Sequence, residues 1–226
     1  MFAAIAHAYD LNNRLHSFGM DQAWRRAAVG IADPKTTDVA LDCACGTGDL
    51  TRALADGGVA RVTGLDFTAE MLDIARTKRM GPKRDRARTI IDYVQGDAMA
   101  LPFADGMFDI LTIAFGLRNV SDPARALREF RRVLRPGGRL VVLEFDEPRN
   151  PVIRGLNRFY TTRVMPWTAT VISRDRSGAY RYLPRSVRTF LTRDALAREI
   201  RAAGFDHIAQ RALTFGVCVC SRGIAV

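Results

Sequence analysis

Residues 42–51 read Asp42-Cys43-Ala44-Cys45-Gly46-Thr47-Gly48-Asp49-Leu50-Thr51. The apolar run Val39-Ala40-Leu41 precedes them, and helical spacing from Asp49 to Ala55 follows. This is a strand-to-helix turn. Its glycines permit a tight bend and a close approach of backbone to a ligand. The next predicted strand, Arg61 to Leu65, ends at Asp66, 18 residues after Gly48. A carboxylate there can take both hydroxyls of a ribose, which points to a nucleoside cofactor. A dinucleotide suits the turn poorly. Its fingerprint wants a third glycine where Thr51 stands, and Asp49 would repel a pyrophosphate at the helix opening. S-adenosylmethionine carries a ribose, an adenine, an ammonium and a sulfonium but no phosphate. Asp42 can hold the ammonium, directly or through water. Taken alone, Gly46-Thr47-Gly48 also fits any tight strand–helix turn.

The pattern outward from the turn supports the cofactor reading. Helical spacing runs from Glu70 to Lys78 behind Thr68 as a candidate cap. A β-branched strand spans Thr89 to Val94, and Gly96-Asp97-Ala98 follows it. An acid at the end of a parallel strand lies where ligands bind. The Asp97 carboxylate can accept from an adenine amino group, and the Ala98 N–H can donate to a ring nitrogen. Phe108 to Phe115 is a nearly continuous apolar strand, as expected when both sheet faces are covered. Ser121-Asp122-Pro123 opens a helix to about Leu134, Pro136-Gly137-Gly138 ends it, and Arg139 to Phe145 is the fifth strand. A last helix runs from its Thr192 cap to Ala203, stopped by Gly204, with strands near Asp206 to Leu213 and Gly216 to Cys220. Alternating strands and helices predict an α/β fold with an open parallel sheet. The expected organisation is one domain over 1–226. A helical segment covers 1–35 and the cofactor-binding core 36–145. A Pro- and Arg-rich helical insertion covers 146–190, and the closing helix and strands cover 191–226.

Composition bounds the alternatives. The chain has 226 residues, 48% apolar and 26% charged, which is globular rather than disordered. Lys plus Arg exceeds Asp plus Glu by 34 − 24 = 10, and that surplus favours an anionic partner. No apolar run approaches the ~18 residues of a spanning helix. Met1 to Asp10 lacks a basic start, so no cleaved leader is expected. The cysteines fall as Cys43/Cys45 and Cys218/Cys220 and read as reduced thiols of a cytoplasmic protein. His7, His16 and His207 have no ligand spacing, so no metal is expected. Cations crowd two stretches: Lys78, Arg79, Lys83, Arg84, Arg86 and Arg88 in a loop, and Arg125, Arg128, Arg131, Arg132 and Arg135 on a helix. They are solvated faces or a docking surface for an anionic bilayer.

Order and spacing resemble a class I methyltransferase. More narrowly, the chain resembles the ubiquinone/menaquinone biosynthesis C-methyltransferases. The most specific pieces are Phe115-Gly116-Leu117-Arg118-Asn119-Val120, Arg135-Pro136-Gly137-Gly138-Arg139-Leu140, Leu143-Glu144-Phe145 and Tyr180-Arg181-Tyr182-Leu183. Tyr9-Asp10, Trp24 and the stretch from Leu213-Thr214 to Arg222-Gly223 belong with them. The resemblance implies a Rossmann-like seven-stranded sheet with its last strand antiparallel. It implies cofactor contacts at Thr47 or Thr51, at Asp66, and at Asp97 with Ala98. Ala114 stands where a Ser is common, Met20-Asp21-Gln22 replaces a segment with His and Arg, and Ser221 stands where a His is common.

The implied reaction is attack of a ring carbon on the sulfonium methyl. Carbon is a poor nucleophile until an ortho hydroxyl loses its proton, so the acceptor is expected as the lipid-soluble quinol. Arg118 can lower the quinol pKa and orient a water, since a guanidinium stays protonated. Asn119 can fix the second hydroxyl. Tyr180, Arg181 and Tyr182 can line the ring pocket or pack the insertion, and Arg118 can instead pair with an acid. The resemblance points first to demethylmenaquinol, with a 2-polyprenyl-6-methoxy-benzoquinol, another small phenol or an RNA base as the alternatives. A non-catalytic scaffold that binds the cofactor is the reading outside enzymes. Peripheral membrane contact is in view, nucleic acid is not expected, and homo-oligomerisation stays open.

Overall fold

A computed structural model describes residues 10, 14–15, 17–78, 89–164, 186–187 and 189–226. Tyr9, the loop cations Arg79 to Arg88, and Tyr180-Arg181-Tyr182-Leu183 lie outside the described residues. The elements in chain order are α1 Met20–Ala32, β1 Val39–Cys43, α2 Asp49–Asp56, β2 Arg61–Asp66, α3 Ala69–Thr77 and β3 Ile90–Gln95. There follow β4 Phe108–Ala114, α4 Pro123–Val133, β5 Leu134–Phe145, α5 Pro151–Phe159, α6 Arg193–Ala202, β6 Phe205–Leu213 and β7 Cys218–Ala225. The seven strands form one sheet in the order β3-β2-β1-β4-β5-β7-β6. β1 to β5 pair in parallel, and β7 runs antiparallel to both β5 and β6. This is the Rossmann-like seven-stranded sheet with its last strand antiparallel that the resemblance implies.

Side-chain alternation along the central strands feeds a core on each face. Leu41, Cys43, Leu111, Ile113, Leu140 and Val142 pack on one side with Leu127 and Phe130 of α4 and Leu196 of α6. Ala40, Ile110, Val141 and Leu143 pack on the other with Trp24 and Ala28 of α1 and Leu54 of α2. Helix ends follow local chemistry. Asp122 accepts from Arg125 N at the start of α4, and Thr192 accepts from Ala195 N at the start of α6. Gly204 ends that last helix at φ +93, a left-handed conformation.

Three boundaries differ from the sequence reading. α4 stops at Val133 and β5 begins at once at Leu134, so Pro136-Gly137-Gly138 does not separate helix from strand. Leu134 already pairs with Phe108, the register then jumps to Arg139 opposite Ile110, and Arg135–Gly138 form a bulge. Gly138 is needed there, because a Cβ would sit 2.8 Å from the Arg135 carbonyl. β7 begins at Cys218 and continues to Ala225, and Thr214–Gly216 is a 3₁₀ turn. Ser221-Arg222-Gly223 breaks the apolar run, yet pairing with β5 and β6 on both sides holds the strand through it. Thr68 stands at the cap position of α3 but makes no side-chain cap bond.

Candidate functional site

The strand order reverses between β1 and β4, and in an open α/β sheet the crevice at such a point is where ligands sit. The turns that leave these two strands touch. A Cβ on Gly116, after β4, would come 2.6 Å from the Ala44 Cβ, after β1. Ala44 (φ 52) and Phe115 (φ 57) are both left-handed without being glycine. That strain costs of order 1–2 kcal/mol each and is typical of functional turns.

The cofactor candidates lie on the β1–β3 side. Asp66 accepts from Gly46 N (2.7 Å) and Thr68 N (2.9 Å), so it ties the glycine turn to the end of β2. The Thr68 hydroxyl and the Phe67 N–H also act on this carboxylate, so donors from both the glycine turn and the end of β2 hold it. Burial raises the Asp66 pKa, against the backbone N–H groups that lower it. Asp97 accepts from Met99 N (2.8 Å) through Oδ1, leaving Oδ2 and the neighbouring Ala98 at the end of β3. Gly46 has open space around the position of a Cβ. At Gly48 (φ +77), a Cβ would meet the Tyr93 hydroxyl at 2.6 Å. Asp42 is fully buried and braces the turn. It accepts from Thr51 Oγ1 (2.7 Å) and Thr112 Oγ1 (2.8 Å), and burial lifts its pKa to about 6. Thr51 is therefore given to Asp42, whereas Thr47 Oγ1 donates to Asp10 (2.7 Å).

Asp49, at the first position of α2, is held by Arg52 (2.5 Å), Lys78 (2.9 Å) and Gln22 Nε2 (3.1 Å). Lys78 also pairs with Asp10. These cations lower the Asp49 pKa against the opposing effect of burial. The network draws Asp10 and α1 over the glycine turn. Single residues in Met1 to Ile31 carry no motif for it, so the sequence reading missed it.

The acceptor candidates lie across the crevice. Arg118 sits in a 3₁₀ turn, Leu117–Asn119, after β4. Its guanidinium bonds Glu144 Oε2 (2.8 Å) and the Phe115 carbonyl (2.6 Å), with the side chain 8% exposed. Its carbon lies 6.0 Å from the Phe115 ring centre and 5.2 Å from that of Phe145, within cation–π range. The Arg118 Nε is buried without a hydrogen-bond partner. Trp24 completes the aromatic wall, 6.0 Å from Phe115 and 6.1 Å from Phe145, and donates from Nε1 to Thr214 Oγ1 (2.8 Å). Asn119 Nδ2 donates to the Phe115 carbonyl (3.2 Å), which leaves its Oδ1 for a ligand hydroxyl. Glu144 was missed as a functional residue. Its signal was a lone carboxylate in the apolar run Leu140–Phe145.

A family model of the ubiE/COQ5 methyltransferase family matches residues 1–225. The chain belongs to that family. It is an enzyme, a methyltransferase that uses S-adenosyl-L-methionine. A demethylmenaquinone methyltransferase of Thermus thermophilus is 48% identical over 225 residues, covering 99% of both chains. One of Deinococcus radiodurans is 44% identical over 96% of this chain and 88% of its own. The ubiquinone/menaquinone biosynthesis C-methyltransferase UbiE of Roseobacter denitrificans is 40% identical over 99% and 88%. Among solved structures, an S-adenosylmethionine-dependent methyltransferase of Thermotoga maritima superposes with a TM-score of 0.68 at 21% identity, over 100% of this chain and 98% of its own. That likeness bears on the fold alone. The residues present fit the cofactor: Asp66 and Asp97 offer acceptors suited to hydroxyls and an amino group, and among the described residues Arg52 and Lys78 at the helix opening are already paired with acids.

The cysteine pairs do not meet, because β4 and β5 separate β1 from β7. All four thiols are free, and burial pushes their pKa values up, that of Cys220 to about 12. Of the helix cations, Arg132 pairs with Glu129 and Asp105, Arg135 with Asp109, and Arg125 and Arg131 bond carbonyls. Four of the five are tied into the fold, and Arg128 stands exposed on α4.

Proposed function

We propose that the chain methylates a ring carbon of a polyprenylated quinol, converting demethylmenaquinol to menaquinol. The benzoquinol of ubiquinone biosynthesis is the second acceptor. The names of the relatives at 48% and 44% identity favour the naphthoquinol. The observation that carries the reading is the unpartnered Nε–H of a buried arginine, walled by aromatic rings at the switch-point crevice. Bound S-adenosylmethionine supplies an electrophilic methyl group. Asp66 takes its ribose hydroxyls, Asp97 and Ala98 take its adenine edge, and Gly46 and Gly48 let the backbone approach. Arg118 Nε–H donates to the ring oxygen ortho to the reacting carbon and holds it as the phenolate, the hydroxyl proton passing to water. As that carbon gains the methyl, the methyl–sulfur bond breaks and S-adenosylhomocysteine leaves. The hydrogen on the carbon is lost to water as a proton, which restores the aromatic ring. Glu144 neutralises part of the cation, so what reaches the acceptor is an aimed donor in a water-poor site. Asn119 Oδ1 accepts from the second hydroxyl. The tail keeps the acceptor at a membrane surface.

The test is turnover followed by mass spectrometry. The chain meets S-adenosylmethionine and a short-tailed demethylmenaquinol, with the oxidised quinone in parallel. A methylated product from the quinol alone is expected. Equal product from the quinone would overturn the phenolate role. No product beside demonstrated cofactor binding would overturn the acceptor.

A further inference from the structure

Helix α5 leaves the carboxyl edge of the sheet just after β5, whose last residue, Phe145, lines the acceptor side of the crevice. Asn150 caps it by accepting from Val152 N and Ile153 N, and Pro151 opens it. It is strongly amphipathic in pattern. Val152, Leu156 and Phe159 share one stripe, and Arg154 and Arg158 lie on the other side. Yet α5 buries none of its residues. Val152 is 68% exposed, Leu156 66% and Phe159 63%. Burial of such a face is what stabilises a short helix, and none of the described residues buries this one.

Both ends of the helix add to the exposed apolar surface. At its far end Phe18, 77% exposed, stacks on Tyr160 with ring centres 5.5 Å apart. At its start, the Thr214–Gly216 turn abuts Pro148 and Arg149, and Phe215 on that turn is 81% exposed. The electrostatics select the partner. From Pro148 to Val164 the chain carries Arg149, Arg154, Arg158 and Arg163 and no Asp or Glu. Among the described residues no carboxylate pairs with Arg154, Arg158 or Arg163. No helix among the described residues is long and apolar enough to cross a membrane. An apolar stripe flanked by cations, with aromatic side chains beside it, is the pattern of a helix lying in a lipid interface.

We propose that α5, with Phe18 and Phe215, docks the enzyme on an anionic lipid bilayer. This rests on the quinol reading, because a bilayer-held tail then meets the crevice from the side on which the helix stands. The location differs from both cation clusters marked in the sequence.

The test is flotation of the full chain with vesicles of phosphatidylcholine alone and with phosphatidylglycerol added. Binding is expected on the anionic vesicles and weak on the neutral ones. Arg154→Gln with Arg158→Gln lowers that affinity about thirtyfold at low salt, at ~1 kcal/mol per cation. Leu156→Asp with Phe159→Asp lowers it at least about tenfold. Unchanged cofactor binding shows that the variants are folded. Turnover of a tail-less, water-soluble quinol reports the acceptor reading separately and is expected to be unchanged in both variants. Failure of the wild type to bind anionic vesicles overturns the proposal, and so does wild-type binding by the Leu156/Phe159 variant. Self-association that the Leu156/Phe159 variant abolishes, without vesicle binding, would assign the face to a second copy and overturn it too.

Discussion

On the β1–β3 side of the crevice, the strand-end acids Asp66 and Asp97 are held by near neighbours in the chain, while the braces behind them reach farther, Asp42 to Thr112 at 70 residues and Thr47 to Asp10 at 37. Asp97 holds Met99 N and Asp66 holds Thr68 N two residues away, Asp42 takes Thr51 at nine, and Asp66 reaches Gly46 at 20. Across the crevice, Arg118 finds Glu144 at 26 residues and Trp24 finds Thr214 at 190. One side is a set of strand-end turns with acceptors. The other is a box of aromatic rings around two buried arginines, Arg118 and Arg25, whose guanidinium carbons lie 6.0 and 5.7 Å from the Phe115 ring centre. The difference teaches that the strand-end acids proposed for the cofactor are set locally, whereas the arginine proposed for the acceptor is placed only when the sheet is assembled.

The largest expected effect breaks the box. Glu144→Ala leaves Arg118 buried without its counter-charge, and loss of one partner of such a pair costs about 3–5 kcal/mol. Denaturant unfolding measures this, and a loss below about 1 kcal/mol would mean the box is as loosely coupled as a surface pair. Next comes Asp42 on the cofactor side. Burial lifts its carboxyl from the ordinary 3.8 to about 6. Between these values the folded chain holds a proton that the unfolded chain has released. Stability from this group is full below the lower value and is lost as pH rises through the upper one. The charged form costs ~3 kcal/mol by neutral pH. Stability measured at pH 4.5 and 7 should fall in the wild type by more than in Asp42→Asn. Equal falls would remove Asp42 as the cause.

Gly48→Ala sharpens the comparison within the turn. Its φ of +77 and the Tyr93 hydroxyl 2.6 Å from a Cβ together predict a loss of about 2 kcal/mol and weaker cofactor binding. Gly46→Ala carries only the backbone cost of φ +55, about 1 kcal/mol, since nothing lies near its Cβ. Thermal unfolding of the pair should preserve that ranking. The smallest effect is Trp24→Phe. It keeps an aromatic ring against Phe115 and Phe145 but deletes the bond to Thr214, at about 1 kcal/mol. Turnover should fall more than stability if the box serves the acceptor, and a pure stability loss would make the indole structural.

The sequence by itself determined the α/β class, the glycine turn, and the acids at the ends of β2 and β3. These depend on periodicity, glycine conformation and short-range hydrogen bonds, all written within about 20 residues. Only the tertiary structure decided that Arg118 is paired with Glu144 and has a spare buried donor. It also decided that Arg135–Gly138 bulges inside β5, that β7 runs on through Ser221-Arg222-Gly223, and that α5 is left uncovered. Each of these is set by which strands and faces become neighbours when the sheet closes. Sheet order is a cooperative outcome of packing, and no single segment carries it.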